Sequence, residues 1–135
     1  MATATEGIAL SDTDRAAATE ELHKFFSLIN GEEPSRFKMF SPAVDAVWHD
    51  LLHRPDEYRA FLENAGASAG LGHAPASGFG VISWVEKYHA IYGQLPEIWF
   101  KDAEGNLNDG IYSTYLETST VVTAWDCTPV EDTFG

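Results

Sequence analysis

The chain has 135 residues and a mass of 14.8 kDa, with 44% hydrophobic residues that include 8 Phe, 5 Tyr and 4 Trp. That is enough apolar surface for one core, so a single domain over residues 1–135 is expected and a disordered chain is excluded. Eight Lys and Arg against 21 Asp and Glu give a formal charge of −13, which argues against nucleic acid and membrane partners and leaves cations, a basic protein partner or plain solubility.

The single Cys127 cannot form an internal disulfide, and the start "MATATEGIALSDTD" has neither the basic residues nor the apolar run of a signal peptide. A cytoplasmic protein is the expectation.

Residues 1–10 read as a small, polar lead-in. "SDTDRAAATEELHKFFSLING" follows, with Ser11 or Asp12 as N-cap and Leu22, Phe25, Phe26 and Ile29 at i, i+3, i+4 and i+7, the spacing of one amphipathic helix that ends at Asn30-Gly31. After the connector "EEPSRFKMF", Ser41 supplies a capping hydroxyl and Pro42 a fixed φ at the first helical position. Val44, Val47, Trp48, Leu51 and Leu52 form the apolar stripe of this second helix. Pro55 sets a break near residues 53–55 and starts a third helix, "PDEYRAFLENAG", with Tyr58, Phe61 and Leu62 on its buried face.

Residues 64–80, "NAGASAGLGHAPASGFG", read as a long irregular loop. "VISWVEKYHAIYG" places Val81, Trp84, Val85, Tyr88 and Tyr92 on one helical face, and "LPEIWF" reads as an aromatic turn that caps the core. "KDAEGNLNDG" is an acidic turn without the ligand order of an EF-hand loop. "IYSTYLETSTVVTAWDC" is rich in Thr, Val and Tyr and predicts strands, a two-stranded hairpin within residues 106–130. The expected fold is mainly α, four to five helices with a C-terminal β-hairpin.

The candidate chemistry lies on the second helix. At 100° per residue, Asp45, His49 and His53 fall in order along the margin of the apolar stripe, from the buried side to solvent. Residues four apart on a helix stack about 5–6 Å from each other, close enough to share a metal ion, and His73 in "LGHAP" is the natural third ligand. Asp45, His49 and His73 form a two-histidine, one-carboxylate set, the type that holds iron(II) or zinc with positions left open.

His53 and Glu57 are further candidates, as a fourth ligand or a base, and Tyr58 and His53 are the candidate catalytic groups. "HDLLH" lacks the glutamate of the zincin motif, although His49 and His53 keep its spacing and are the alternative ligand pair. An Asp–His pair that only fastens a loop to the helix is the competing structural reading. Cys127 has no activating neighbour in sequence. His23 and His89 read as structural, and the Trp residues with Tyr88 and Tyr92 as core.

"FKMFSPAVDAVWHDLL", then Tyr58 and Phe61, then "LGHAP" and "WVEKYHAIYGQLPEIW" resemble the glycine-rich domain-containing protein-like family of bacteria and plants, over roughly residues 20–100. The resemblance implies functional importance for Asp45, Trp48, His49, Tyr58, His73 and Pro75, and leaves residues 106–130 as a private extension. It implies a site rather than an activity. Leu51 and Gly72 stand where the family carries further histidines, its cysteine after the tyrosine is missing near Leu62, and no glycine-rich tail follows Trp99.

Two functions follow as expectations. One is a small metal-binding protein with zinc or iron, able to act as a metal-dependent enzyme on a small molecule or peptide. The other is a non-catalytic acidic module that meets a basic protein partner and in which Asp45, His49 and His73 are structural.

Overall fold

The computed structural model describes residues 10–131, so all of the lead-in except Leu10 lies outside the described residues. Helix α1 spans Asp12–Ile29. Ser11 is its cap, with Oγ accepting the Asp14 N–H at 3.1 Å, and Asp12 and Asp14 sit at the positive end of the helix dipole. Helix α2, Pro42–Leu52, starts as its Ser-Pro signal predicts: Ser41 Oγ accepts the Val44 N–H at 3.1 Å. Helix α3, Pro55–Ala65, restarts at Pro55 and closes on Gly66, whose φ of +83° is the left-handed cap that favours glycine. Helices α4 (Val85–Tyr92) and α5 (Asp109–Thr118) complete the helical set, and strands β1 (Leu71–Val81) and β2 (Val122–Glu131) pair antiparallel. The mainly α class with a two-stranded antiparallel sheet whose second strand is C-terminal is the expected one.

The core is aromatic. Phe25 on α1 meets the rings of Phe26, Phe37, Trp48, Trp84 and Trp99 at centroid distances of 5.2 to 6.1 Å, mostly edge to face. Trp48 and Trp99 are fully buried, and each such ring contributes about 1.5–3 kcal/mol through burial alone. The aromatic turn Glu97–Phe100 is a 3-10 turn that buries Ile98, Trp99 and Phe100 and closes this core, as read. Inside it lies one carboxylate, Glu21, which accepts from Tyr88 Oη at 2.6 Å, Trp99 Nε1 at 2.9 Å and Lys24 Nζ at 3.1 Å.

Three local expectations are corrected. Residues 71–80, part of the stretch 64–80 read as loop, belong to strand β1, which pairs with β2 from Leu71↔Glu131 to Val81↔Val122. Gly and Ala have weak strand propensity, yet this backbone gains a ladder, and a bulge between Pro75 and Gly78 adapts its register to β2. Beyond the bulge, glycine is required: a Cβ on Gly78 would lie 2.4 Å from Cζ2 of Trp125.

The second correction concerns residues 109–118, read as strand, which form α5. Asn108 caps it by accepting the Ile111 N–H, and the buried Tyr115 anchors it by stacking on Phe100. Packing overrides the β propensity of Tyr and Thr here, so β2 takes its partner from residues 71–81 rather than from a hairpin within 106–130. Third, Val81 belongs to β1 and is exposed, and Tyr92 is only partly covered, with Lys24 Nζ 5.1 Å from its ring centroid. Among the described residues, no helix is long and apolar enough to cross a membrane.

Candidate metal centre

The two faces of α2 do different work. Val44, Val47, Trp48 and Leu51 enter the core, while Asp45 and His49, one turn apart, sit at the edge of that stripe. Strand β1 runs across this edge and is fastened to it by a short relay: Trp48 Nε1 donates to Tyr58 Oη at 3.2 Å, and Tyr58 Oη donates to the Leu71 carbonyl at 2.7 Å. Two residues along the same face of β1 comes His73, whose ring stands edge-on to Trp48 at 4.5 Å and perpendicular to His49 at 4.5 Å.

Three side chains therefore converge. His49 Nε2 and His73 Nε2 are 3.1 Å apart, His73 Nε2 lies 3.3 Å from Asp45 Oδ1, and His49 Nε2 lies 3.3 Å from Asp45 Oδ2. Asp45, His49 and His73 form a cluster able to hold a metal ion. With metal–ligand bonds of 2.0–2.1 Å, neighbouring ligands of a tetrahedral ion stand about 3.3 Å apart, and those of an octahedral ion about 3.0 Å. The contacts between the three side chains, 3.1 to 3.3 Å, are of this size.

Hydrogen bonding alone satisfies these three contacts poorly. Each Nε2 carries at most one proton, so two rings offer at most two protons to three contacts, and one contact is left with two lone pairs or two protons facing each other. A cation held among them would take a lone pair from each of the three side chains instead. His73 and Asp45 are mostly covered while the His49 side chain is 55% exposed, so the centre has a protein side and an open side.

The remaining predicted residues lie elsewhere or play other parts. His53 is the C-cap of α2, exposed and outside the cluster. Glu57 pairs with Arg54, which also holds Asp50. Tyr58 has its hydroxyl engaged on both sides, and burial pushes its ionisation up to about 12. His23 Nε2 meets Asn64 Oδ1 at 2.9 Å and His89 Nε2 meets Tyr115 Oη at 2.7 Å, satisfied pairs as read.

No protein-family model, no curated protein and no solved structure matches this chain. The site thus rests on its own geometry.

That geometry includes a residue the sequence left aside. Cys127, on the inner face of β2 and diagonal to His73, is buried and donates from Sγ to Asp45 Oδ1 at 3.3 Å. Burial, then the Asp45 carboxylate, push its thiol pKa upward, so it stays a donor that orients Asp45. It lies 82 residues from Asp45 in sequence, and no local pattern links the two.

Beside Asp45 and His49 opens a cleft of about 480 Å³, walled by the start of α2, the 101–108 turn, Ile111 of α5 and residues 123–126 of β2. It has the volume of a small-molecule site.

Proposed function

We propose that this is a small metal-binding protein that holds zinc or iron(II) through Asp45, His49 and His73. The observation that carries this reading is the convergence of three side chains: the two Nε2 atoms stand 3.1 Å apart, and each lies 3.3 Å from an oxygen of Asp45, His73 from Oδ1 and His49 from Oδ2. Two imidazoles and one carboxylate are neutral and anionic donors suited to a borderline divalent ion, and they leave coordination positions free on the exposed His49 side. Bound there, the ion supplies Lewis acidity beside the cleft. The chain's own residues do the positioning: Cys127 orients Asp45, Trp48 backs His73, and Tyr58 fixes β1. Of the six residues that the resemblance to the glycine-rich domain-containing protein-like family picks out, Asp45, Trp48, His49, Tyr58 and His73 gather at this one corner, and Pro75 lies in β1 opposite Cys127.

Elemental analysis of freshly purified protein, followed by zinc titration of chelator-treated protein, tests the reading. One ion per chain, lost in both His49→Ala and His73→Ala, is expected. Folded protein that takes up neither zinc nor iron(II) overturns it. The interaction-module reading draws on the same contacts, since they fasten β1 and β2 to α2; it expects His73→Ala to lower the melting temperature while metal content stays at zero in both proteins.

A further inference from the structure

The cleft has a definite chemistry. Its apolar surface comes from Phe40 and Phe100, both buried, from Ile111 and from Trp125, whose indole passes so close to Gly78 that a Cβ there would meet it and whose ring has Lys38 Nζ 5.4 Å from its centroid. Its charge comes from Asp45, Asp102 and Asp126 against a single Lys101, and Lys101 Nζ is already matched by Asp14 Oδ1 at 3.0 Å. Asp102 is fixed in place, with Oδ1 accepting the N–H groups of Glu104 at 3.0 Å and Asn106 at 2.9 Å.

If Asp45 serves the ion, two carboxylates, Asp102 and Asp126, remain around the cleft without a cation on the protein side. On a chain of charge −13, they repel an anionic body and attract an ammonium group. Aromatic walls in turn favour a ring, and a ring that carries a cation most of all. Asp45 and His49 line the cleft, so a molecule in it would approach an ion held there from that end, where an oxygen donor is suited.

We propose that this cleft binds a small aromatic amine whose oxygen-bearing head reaches the ion held by Asp45, His49 and His73. The assignment rests on the metal-binding reading and extends it to the class of molecule that meets the metal. A cleft of about 480 Å³ takes one such molecule and excludes a folded partner.

Three probes with one head and one ring separate the possibilities: 4-(aminomethyl)benzohydroxamate, benzohydroxamate and 4-carboxybenzohydroxamate, titrated calorimetrically into zinc-loaded protein. The amine is expected to bind at least tenfold tighter than the carboxylate, with the neutral probe between them. Asp126→Asn narrows that gap several-fold. Ile111→Trp, or Ala103→Trp in the turn should the first variant not fold, fills the cleft and abolishes binding of all three while zinc stoichiometry stays at one.

Equal affinity for amine and carboxylate, preference for the carboxylate, or binding that survives both filling variants overturns the proposal with the metal reading intact. Failure to load zinc overturns the metal reading instead. The cleft is then decided by saturation-transfer NMR of the same probes with metal-free protein: an amine signal that Ile111→Trp removes keeps the aromatic-amine assignment, and no amine signal, or one indifferent to that variant, overturns it.

Discussion

Two carboxylates on neighbouring helices show how differently this chain treats a buried-side acid. Glu21 of α1 is 4% exposed and accepts from three donors, Tyr88, Trp99 and Lys24, each bringing a proton of its own. Asp45 of α2, with a side chain 25% exposed, faces one thiol donor and two imidazole nitrogens that also face each other. The first arrangement is complete and rigid, the mark of a carboxylate that serves the fold. The second leaves one of its contacts without a proton of its own, in a cluster able to hold a metal ion.

Breaking the complete arrangement should have the largest effect. Glu21→Ala leaves Tyr88 Oη and Trp99 Nε1 buried without an acceptor, a cost of about 2 kcal/mol each and roughly 4 kcal/mol in total. Glu21→Gln keeps Oε1, which takes both of those donors, and replaces only Oε2, the partner of Lys24, so it should lose no more than about 1 kcal/mol. Urea unfolding measures both, and a loss below 1 kcal/mol for Glu21→Ala would show that water reaches these groups. Where the variants fold, zinc stoichiometry should be untouched, which separates the two carboxylates by function.

The Asp45 corner should respond in the opposite manner, with its stability dependent on metal. Zinc at 100 times its dissociation constant adds about 2.7 kcal/mol to unfolding, and both His49→Ala and His73→Ala should lose that increment. Without metal the two variants should differ: His73, 15% exposed at its side chain and packed on Trp48, costs about 1–2 kcal/mol when truncated, whereas the half-exposed His49 costs little. Thermal melts with and without zinc read this directly. Two variants equal in both conditions would mean that the histidines are only structural.

Gly78 tests the wall shared by strand and cleft. Its added Cβ would sit 2.4 Å from Trp125, so Gly78→Ala must tilt the indole or shift β1, at a cost of about 2 kcal/mol. Zinc affinity should hold while probe binding in the cleft weakens, measured by calorimetry. Unchanged probe affinity would mean that Trp125 moves without reshaping the cleft.

These regions also differ in how far the sequence revealed them. Helices α1, α2 and α3 were legible because their signals are local: Ser11, Ser41 and Pro42, Pro55, and apolar spacings within one or two turns. Asp45 and His49 were legible for the same reason, being one helical turn apart. His73 could be named as a partner but placed only on a loop, because β1 exists through its pairing with residues 122–131, some fifty positions later. Cys127 and the cleft were not legible at all: they arise where β2, the turn after Lys101 and the start of α2 meet, and no local pattern encodes that meeting. Helix α5 was misread because Tyr115 earns its place by contacts with Phe100, His89 and the Leu95 N–H, not by helix propensity.

Tyr58 joins the two regions, so its removal gives the smallest and most diagnostic effect. Its hydroxyl links Trp48 of the aromatic core to the Leu71 carbonyl that starts β1. Burial raises its ionisation from the ordinary 10.0 to about 12, so the fold holds a proton that the unfolded chain releases between those values. The resulting stability is complete below pH 10 and is lost as pH climbs toward 12. Tyr58→Phe should cost about 1 kcal/mol at neutral pH and flatten that alkaline decline in part, since Tyr88 and Tyr115 are also raised by burial and keep their share. Urea unfolding across the alkaline range measures the slope. Because the same hydroxyl sets where β1 begins, two residues before His73, zinc affinity should fall a few-fold in Tyr58→Phe while stoichiometry remains one. An alkaline slope equal to that of the parent would mean that the phenol is solvated and the relay from core to strand is not made through it.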